Sequence, residues 1–275
     1  HRDLHSFPTR RSSDLPSGAL PNNPEMLTPS SSPTSVNDKV VVLNGKTVTI
    51  TANNKINSQL TVDGRLDFGT TTGHNFTTIR GTGRILLAAD NFPAGDATHF
   101  ISQYQGEGTV VYYGENYNLS TPREFFNVEV DLNDVSSKIQ LLANYRINGS
   151  LTIKQGILQI NDNSTTTNLT IDVFDDILIQ NKGSILTGTA NARHQFNIYG
   201  NLTNYGTLKF TNRTATNYTA EATNGIVDAN FLNSSENQNL LCYNTSNFYR
   251  IKIDKGLDKQ YELYMMAERP EYFAL

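Results

Sequence analysis

The chain of 275 residues is predicted to be all-β, coiled into a parallel β-helix (β-solenoid) behind a disordered linker, and three observations predict it. A glycine followed by apolar residues two apart recurs, as in Gly149-Ser-Leu151-Thr-Ile153, Gly156-Ile-Leu158-Gln-Ile160, Gly200-Asn-Leu202 and Gly206-Thr-Leu208-Lys-Phe210; fixed self-similarity of this kind builds stacked repeats. Helical spacing of apolar residues is missing, and strong helix formers are sparse. Gly and Asn bound nearly every short apolar run, where the sharp corners of a coil need residues that accept positive φ. An antiparallel sandwich of short strands is the rival reading, because turn signals alone do not separate the two.

The elements follow in order. Residues 1–15, HRDLHSFPTRRSSDL, resemble a translated sequencing adapter and are set aside as extraneous to the fold. Residues 16–38 are dense in Pro, Ser and Asn with few large apolar residues. Such a stretch cannot bury enough surface to offset its ordering entropy, so it reads as a linker. From 39 to 275 the solenoid is expected. Val40 to Leu43 runs into Asn44-Gly45, a strong turn signal, and β-branched alternation resumes at Thr47. Strands follow around Gln59 to Val62, Arg65 to Phe68, Phe76 to Ile79 and Arg84 to Leu87. Ala88 to Ser102 breaks the rhythm and marks an excursion or a boundary, with the break falling near 88–108. Phe125-Phe-Asn-Val128-Glu-Val130-Asp131 and Phe248-Tyr-Arg-Ile251-Lys-Ile253-Asp254 match position by position, which suggests two super-repeats of over a hundred residues. In Ile147 to Ile160, Leu151, Ile153, Leu158 and Ile160 should point inward, Thr152, Lys154 and Gln159 outward, and Gly156 should turn. At about twenty residues per coil the region holds roughly eleven or twelve coils. Both ends of the chain look cut.

Composition narrows the function classes. Charged residues make up 17% of the chain and the net charge is −4, which disfavours nucleic acid, whose binding rests on phosphate neutralisation. The single Cys242 makes neither an intramolecular disulfide nor a four-ligand zinc site and reads as a small buried hydrophobe. No apolar stretch is long enough to span a bilayer, and no cofactor is implied. Asn-x-Ser/Thr triplets such as Asn148-Gly-Ser150 and Asn201-Leu-Thr203 read more naturally as amide ladders at corners than as glycosylation sites.

Gly106-Glu-Gly-Thr109-Val-Val-Tyr-Tyr113, the Phe125-Phe-Asn-Val128 motif and Asn148-Gly-Ser-Leu-Thr-Ile-Lys-Gln-Gly156-Ile-Leu resemble repetitive cell-surface proteins of Bacteroidetes-type bacteria, similar to filamentous-haemagglutinin-like adhesins with right-handed β-helix regions. The resemblance spans about 39–275. It implies an extracellular or cell-surface location and a non-enzymatic adhesin or stalk module that contacts glycans or other surface proteins.

Each candidate site also has a blander structural role. Tyr112, Tyr113, Tyr117, Tyr199 and Tyr205 are the glycan-contact candidates, since exposed aromatics stack on sugar rings, although Tyr is also a good strand residue. Asp172, Asp175 and Asp176 form the densest acidic cluster and are weak Ca²⁺ candidates, better read as a solvated turn. His74, His99 and His194 are far apart in sequence, and Arg193-His194 reads as a loop pair on a solvated edge. Two alternatives stand beside the adhesin: a polysaccharide lyase or hydrolase with its site in Ala88 to Ser102 or Asn212 to Thr223, and a filament unit that stacks end to end.

Overall fold

A computed structural model describes residues 39–53, 58–102, 104–162, 164, 166–212, 225–257 and 260–275. The stretches expected to be adapter and linker, and all but the first residue of Asn212 to Thr223, lie outside these residues.

The described residues coil through ten rungs. The first carries strands Lys39–Val42 and Thr47–Thr49, the second Gln59–Val62 and Arg65–Gly69, and the third Asn75–Arg80 and Arg84–Leu87. The fourth has Ala94–Asp96, Thr109–Tyr112 and Tyr117–Leu119, the fifth Arg123–Phe125, Asn127–Asp131 and Lys138–Leu141, and the sixth Tyr145–Ile147 and Leu151–Ile160. The seventh has Thr170–Val173 and Ile177–Thr187, the eighth Arg193–Ile198, Leu202–Asn204 and Thr207–Lys209. The ninth comprises Ile226–Phe231, Gln238–Cys242 and Ser246–Asn247, and the tenth Arg250–Ile253, Leu263–Ala267 and Phe273–Ala274.

Strands of successive rungs pair in parallel, residue on residue, as in Val40 with Leu60, Ile153 with Ile179 and Leu202 with Leu240. The one antiparallel contact among the described residues is an isolated bridge between Thr211 and Ile226. The sandwich is therefore excluded and the parallel solenoid stands. One fifteen-stranded sheet runs the whole length; the opposing wall is a four-stranded sheet over rungs one to four and a six-stranded sheet over rungs five to ten. Between those two sheets lies a single helical turn, Thr98–Ile101, which the sequence periodicity did not signal. It is held by Phe100, fully buried in the core, against which Gly108 packs so closely that a Cβ there would lie 2.3 Å from the ring.

Inward positions form one continuous apolar column, from Val40, Val42 and Leu60 through Ile153, Ile179 and Leu202 to Phe231 and Leu240. The alternation predicted for 151–160 is present: Leu151, Ile153, Leu158 and Ile160 are buried and Thr152 and Lys154 half-exposed. Gln159 departs from it. This side chain is buried because its amide folds back to donate to Asn161 O at 3.0 Å. Gly156 does turn the strand, with φ of +91°, a conformation costly for any residue with a Cβ. Rungs six, seven and eight then stack Gly156, Gly183 and Gly206 in one column; at Gly206 a Cβ would sit 2.1 Å from Gly183 O.

Two expectations change. Coils among the described residues are fewer than eleven or twelve because their length varies, from 18 residues between Val48 and Leu66 to 38 between Leu202 and Leu240. The matched heptads are not structurally equivalent either. Asn127–Asp131 lies in the long sheet, whereas Arg250–Ile253 lies in the six-stranded sheet. Their likeness records a common strand pattern, with alternate apolar residues inward, rather than a repeated position.

The corners explain the abundance of Asn. At six of them a side-chain oxygen accepts a backbone N–H from the next rung: Asn53 from Thr72 (2.9 Å), Asp63 from Thr82 (3.3 Å), Asn116 from Lys138 (2.8 Å), Asn144 from Thr170 (2.9 Å), Asn168 from Arg193 (2.9 Å) and Asn237 from Glu262 (2.8 Å). Where the strand ladder is interrupted by a turn, these oxygens supply the partner that an N–H needs. Along one corner the clamps run consecutively. Asp176 Oδ1 accepts from both Asn201 N and Nδ2, at 2.8 Å each, and Asn201 Oδ1 accepts from Asn239 N and Nδ2, at 2.8 and 3.0 Å. The expected amide contacts to corner carbonyls are present as well: Asn91 Nδ2 donates to Gly69 O at 2.9 Å, Asn204 Nδ2 to Thr245 O at 2.9 Å, Asn212 Nδ2 to Gly188 O at 2.9 Å and Asn233 Nδ2 to Tyr199 O at 2.8 Å.

Candidate functional site

The five tyrosines separate into different environments. Tyr112 points into the core, 1% exposed, with its hydroxyl 3.4 Å from that of Tyr145. Burial, and then the neighbouring Tyr145, push its pKa well above the ordinary phenol range. It is a core residue, because consecutive strand residues face opposite sides and Tyr113 takes the outward place. Tyr113 donates to Asp67 Oδ1 at 2.7 Å, and Tyr117 reaches Tyr113 O at 3.1 Å and Leu87 O at 3.3 Å. Both hydroxyls are used within the fold, and burial raises the pKa of each.

Tyr199 and Tyr205 lie on the outside, where ring stacking takes an unexpected form. Tyr199 stacks on Phe174 of the rung below at 4.3 Å and 5°, and Arg146 Cζ lies 4.2 Å from the centroid of the same Phe174 ring. Tyr205 stacks on Tyr243 of the rung above at 4.6 Å and 6°. Ring planes therefore lie across the rod axis, and each ring spends a face on its neighbour. A sugar that stacks needs an open ring face; stacking takes one face of Tyr199 and one of Tyr205, while Phe174 carries both Tyr199 and Arg146. Tyr205, 45% exposed, is the most accessible of the five candidates.

Asp172, Asp175 and Asp176 do not converge. Asp172 accepts from Asn197 Nδ2 at 2.7 Å, Asp176 clamps Asn201, and Asp175 is exposed. No group of three or more His, Cys, Asp or Glu placed to hold a metal occurs among the described residues. His74 is buried against Phe68, and His99 accepts from Gly81 N at 3.3 Å on a separate rung. His194 corrects the solvated-edge reading. It points inward from Arg193–Ile198 and is fully buried, with Nδ1 accepting from Leu169 N at 3.0 Å and Nε2 3.3 Å from Asn161 Nδ2. Burial lowers its pKa to about 4. Only its neighbour Arg193 faces out. Cys242 is buried as expected, and burial raises its thiol pKa.

The structure assembles two charged clusters that the sequence did not reveal. On the outer face of the long sheet, Glu129 is 7% exposed and ion-paired to Arg84 and, at 2.7 Å, to Lys154. On the outer face of the six-stranded sheet, fully buried Asp228 takes Arg193 Nε at 2.8 Å and Nη2 at 3.2 Å, Arg250 Nη2 at 2.7 Å and Gln195 Nε2 at 3.0 Å. The hydrogen bond to Asp228 raises the Arg193 pKa further. Asn230 extends this network, donating to Gln195 Oε1 and Asn197 Oδ1 at 2.8 Å each. The charged members of each cluster lie a rung or more apart, and irregular rung length hides that adjacency. One signal was readable: Asp228 stands alone among apolar neighbours in Ile226-Val227-Asp228-Ala229, where a charge needs partners.

Each cluster places one acid between two cations, with the acid shielded and the cations half-exposed. Such an arrangement neutralises the acid and joins rungs three, five and six, or eight, nine and ten. Among the described residues, no helix is long and apolar enough to cross a membrane. Comparison with protein-family models, curated proteins and solved structures gives no match.

Proposed function

We propose that this chain is a non-enzymatic rod of a secreted or cell-surface protein, a stiff spacer of the adhesin type that holds other parts at a distance and touches glycans along its flank. The observation that supports it most is that polar chemistry is spent on joining rungs. The Asn and Asp clamps, the Glu129 and Asp228 clusters and the Phe174–Tyr199 and Tyr205–Tyr243 stacks each tie one rung to another. Ten rungs make nine steps at about 4.8 Å, roughly 43 Å of rod. The surface location follows from the sequence resemblance. Glycan contact falls to Tyr205 and Tyr199.

Incubating the protein with acidic and neutral polysaccharides and following chain length tests the enzymatic alternative. The rod reading expects no depolymerisation; cleavage that disappears in Glu129→Gln would overturn it in favour of a lyase or hydrolase. A glycan array comparing the native chain with Tyr205→Ala tests adhesion, with binding expected to fall in the variant.

A further inference from the structure

The sequence contains three Asn-Gly pairs, at 44–45, 148–149 and 224–225, and Asn224 lies outside the described residues. The other two pairs share one chemistry and sit in opposite environments. We propose that Asn44 is a site of spontaneous deamidation and isoaspartate formation, and that the fold locks Asn148 against the same reaction.

The reaction needs two freedoms. The backbone nitrogen of the glycine must lose its proton and reach Cγ of the preceding Asn, and the Asn side chain must be able to swing toward it. A new bond from that nitrogen to Cγ closes a five-membered succinimide, the Cγ–Nδ2 bond breaks, and the amide nitrogen leaves as ammonia. Water then opens the ring at either carbonyl. One opening gives aspartate; the other gives isoaspartate, in which the main chain runs through the former side chain.

Asn44 and Gly45 have both freedoms. They form the exposed tip of the turn joining Lys39–Val42 to Thr47–Thr49, closed by Lys46 N donating to Leu43 O at 3.0 Å. Gly45 has φ of +73° and nothing within 4 Å of where its Cβ would stand. Glycine here removes the steric barrier that a side chain would raise against ring closure. Neither the Asn44 side chain nor the Gly45 N–H takes part in a hydrogen bond among the described residues.

At the second pair both reacting groups are held. Asn148 is 5% exposed; its Nδ2 donates to Ile101 O at 2.5 Å and Glu124 Oε1 at 2.7 Å, and its Oδ1 accepts from Arg146 Nε at 2.9 Å. The nucleophile is engaged as well, since Gly149 N donates to Phe126 O at 2.8 Å. Cyclisation there would break four hydrogen bonds and reorient a corner packed against the rung below.

Modification at Asn44 has a structural consequence. It puts a negative charge and, in the isoaspartate form, an extra backbone carbon into a turn whose Lys46 O accepts Arg65 N of rung two at 2.8 Å. The joint between the first two rungs loosens while the rest of the column stands.

Peptide mapping by mass spectrometry, after holding the full chain at mildly alkaline pH, tests this. Incubation lasts until a denatured sample has converted half of both pairs. The folded chain should then show the amide-to-acid mass gain in the peptide carrying Asn44, with isoaspartate exceeding aspartate, and none in the peptide carrying Asn148. Amide exchange at Arg65 should quicken in the aged sample and stay slow in an equally aged Asn44→Gln variant. Conversion of Asn148 in the folded chain as fast as Asn44, or an intact Asn44 at that time point, would overturn the proposal.

Discussion

Tyr112 and Tyr145 set two hydroxyls inside an apolar column, so each is the other's partner there. Tyr112→Phe leaves the buried Tyr145 hydroxyl without it and should cost about 1–3 kcal/mol, while Tyr112→Ala, which also opens a cavity, should cost about 3–5 kcal/mol. Urea denaturation measures both; a glycan-contact role would instead predict normal stability and lost binding. His194 adds a dependence on pH. Its pKa is about 4 in the fold against about 6.5 in an unfolded chain, so below that upper value the unfolded state binds more protons. The His194 contribution to stability is therefore present above about pH 6.5 and lost as pH falls toward 4, an effect on the order of 3 kcal/mol. His194→Gln should flatten the fall in denaturation midpoint over that window; an unchanged slope would contradict the buried, neutral imidazole. Residues like these were the hardest to place from sequence. Whether Tyr112 or Tyr113 faces inward depends on the register of one strand, and a one-residue slip exchanges them. Likewise Arg193 and His194, adjacent in sequence, face opposite sides of the strand Arg193–Ile198, whose sequence reads equally as a loop.

Strands and corners were far more legible. The runs predicted at 59–62, 65–68, 76–79 and 84–87 agree with Gln59–Val62, Arg65–Gly69, Asn75–Arg80 and Arg84–Leu87 to within a residue or so at each end, because alternation and glycine punctuation are local signals. The helical turn Thr98–Ile101 was not legible, since one buried Phe100 holds it and no helical period exists over four residues. Corner chemistry yields two expectations. Gly206→Ala must push a methyl group against Gly183 O, and the overpacking should cost about 1–3 kcal/mol or more in thermal or urea unfolding, whereas Gly45→Ala meets no neighbouring atom and carries only the cost of its positive φ. Asn201→Ala removes a link between Asp176 and Asn239 and should lower stability by about 1 kcal/mol. Amide exchange at Asn239 should quicken in this variant more than at residues several rungs away. Uniform quickening along the chain would mean that the clamps are not local joints.

At the scale of the molecule, irregular rung length explains both what the sequence revealed and what it concealed. Glycine-phased strands announced a parallel stack, yet insertions between Ile160 and Thr170 and between Phe210 and Ile226 lowered the coil number and made matched heptads fall on different walls. The same irregularity hid Arg84–Glu129–Lys154 and Arg193–Asp228–Arg250, which meet only once the coils are stacked. One outward column carries the whole account: Thr49, Asp67, Leu86, Val111, Glu129, Thr152, Leu178, Thr203, Leu241 and Met266 lie in register on ten successive rungs. Spin labels on cysteines introduced at Thr49 paired with Thr152, and at Thr49 paired with Met266, read that column by pulsed electron resonance, with Cys242 buried and unlabelled. Five steps and nine steps at about 4.8 Å predict backbone separations near ~24 Å and ~43 Å, growing in proportion to rung number. Equal distances for the two pairs, or a Thr49–Met266 distance shorter than the Thr49–Thr152 one, would contradict a stacked rod.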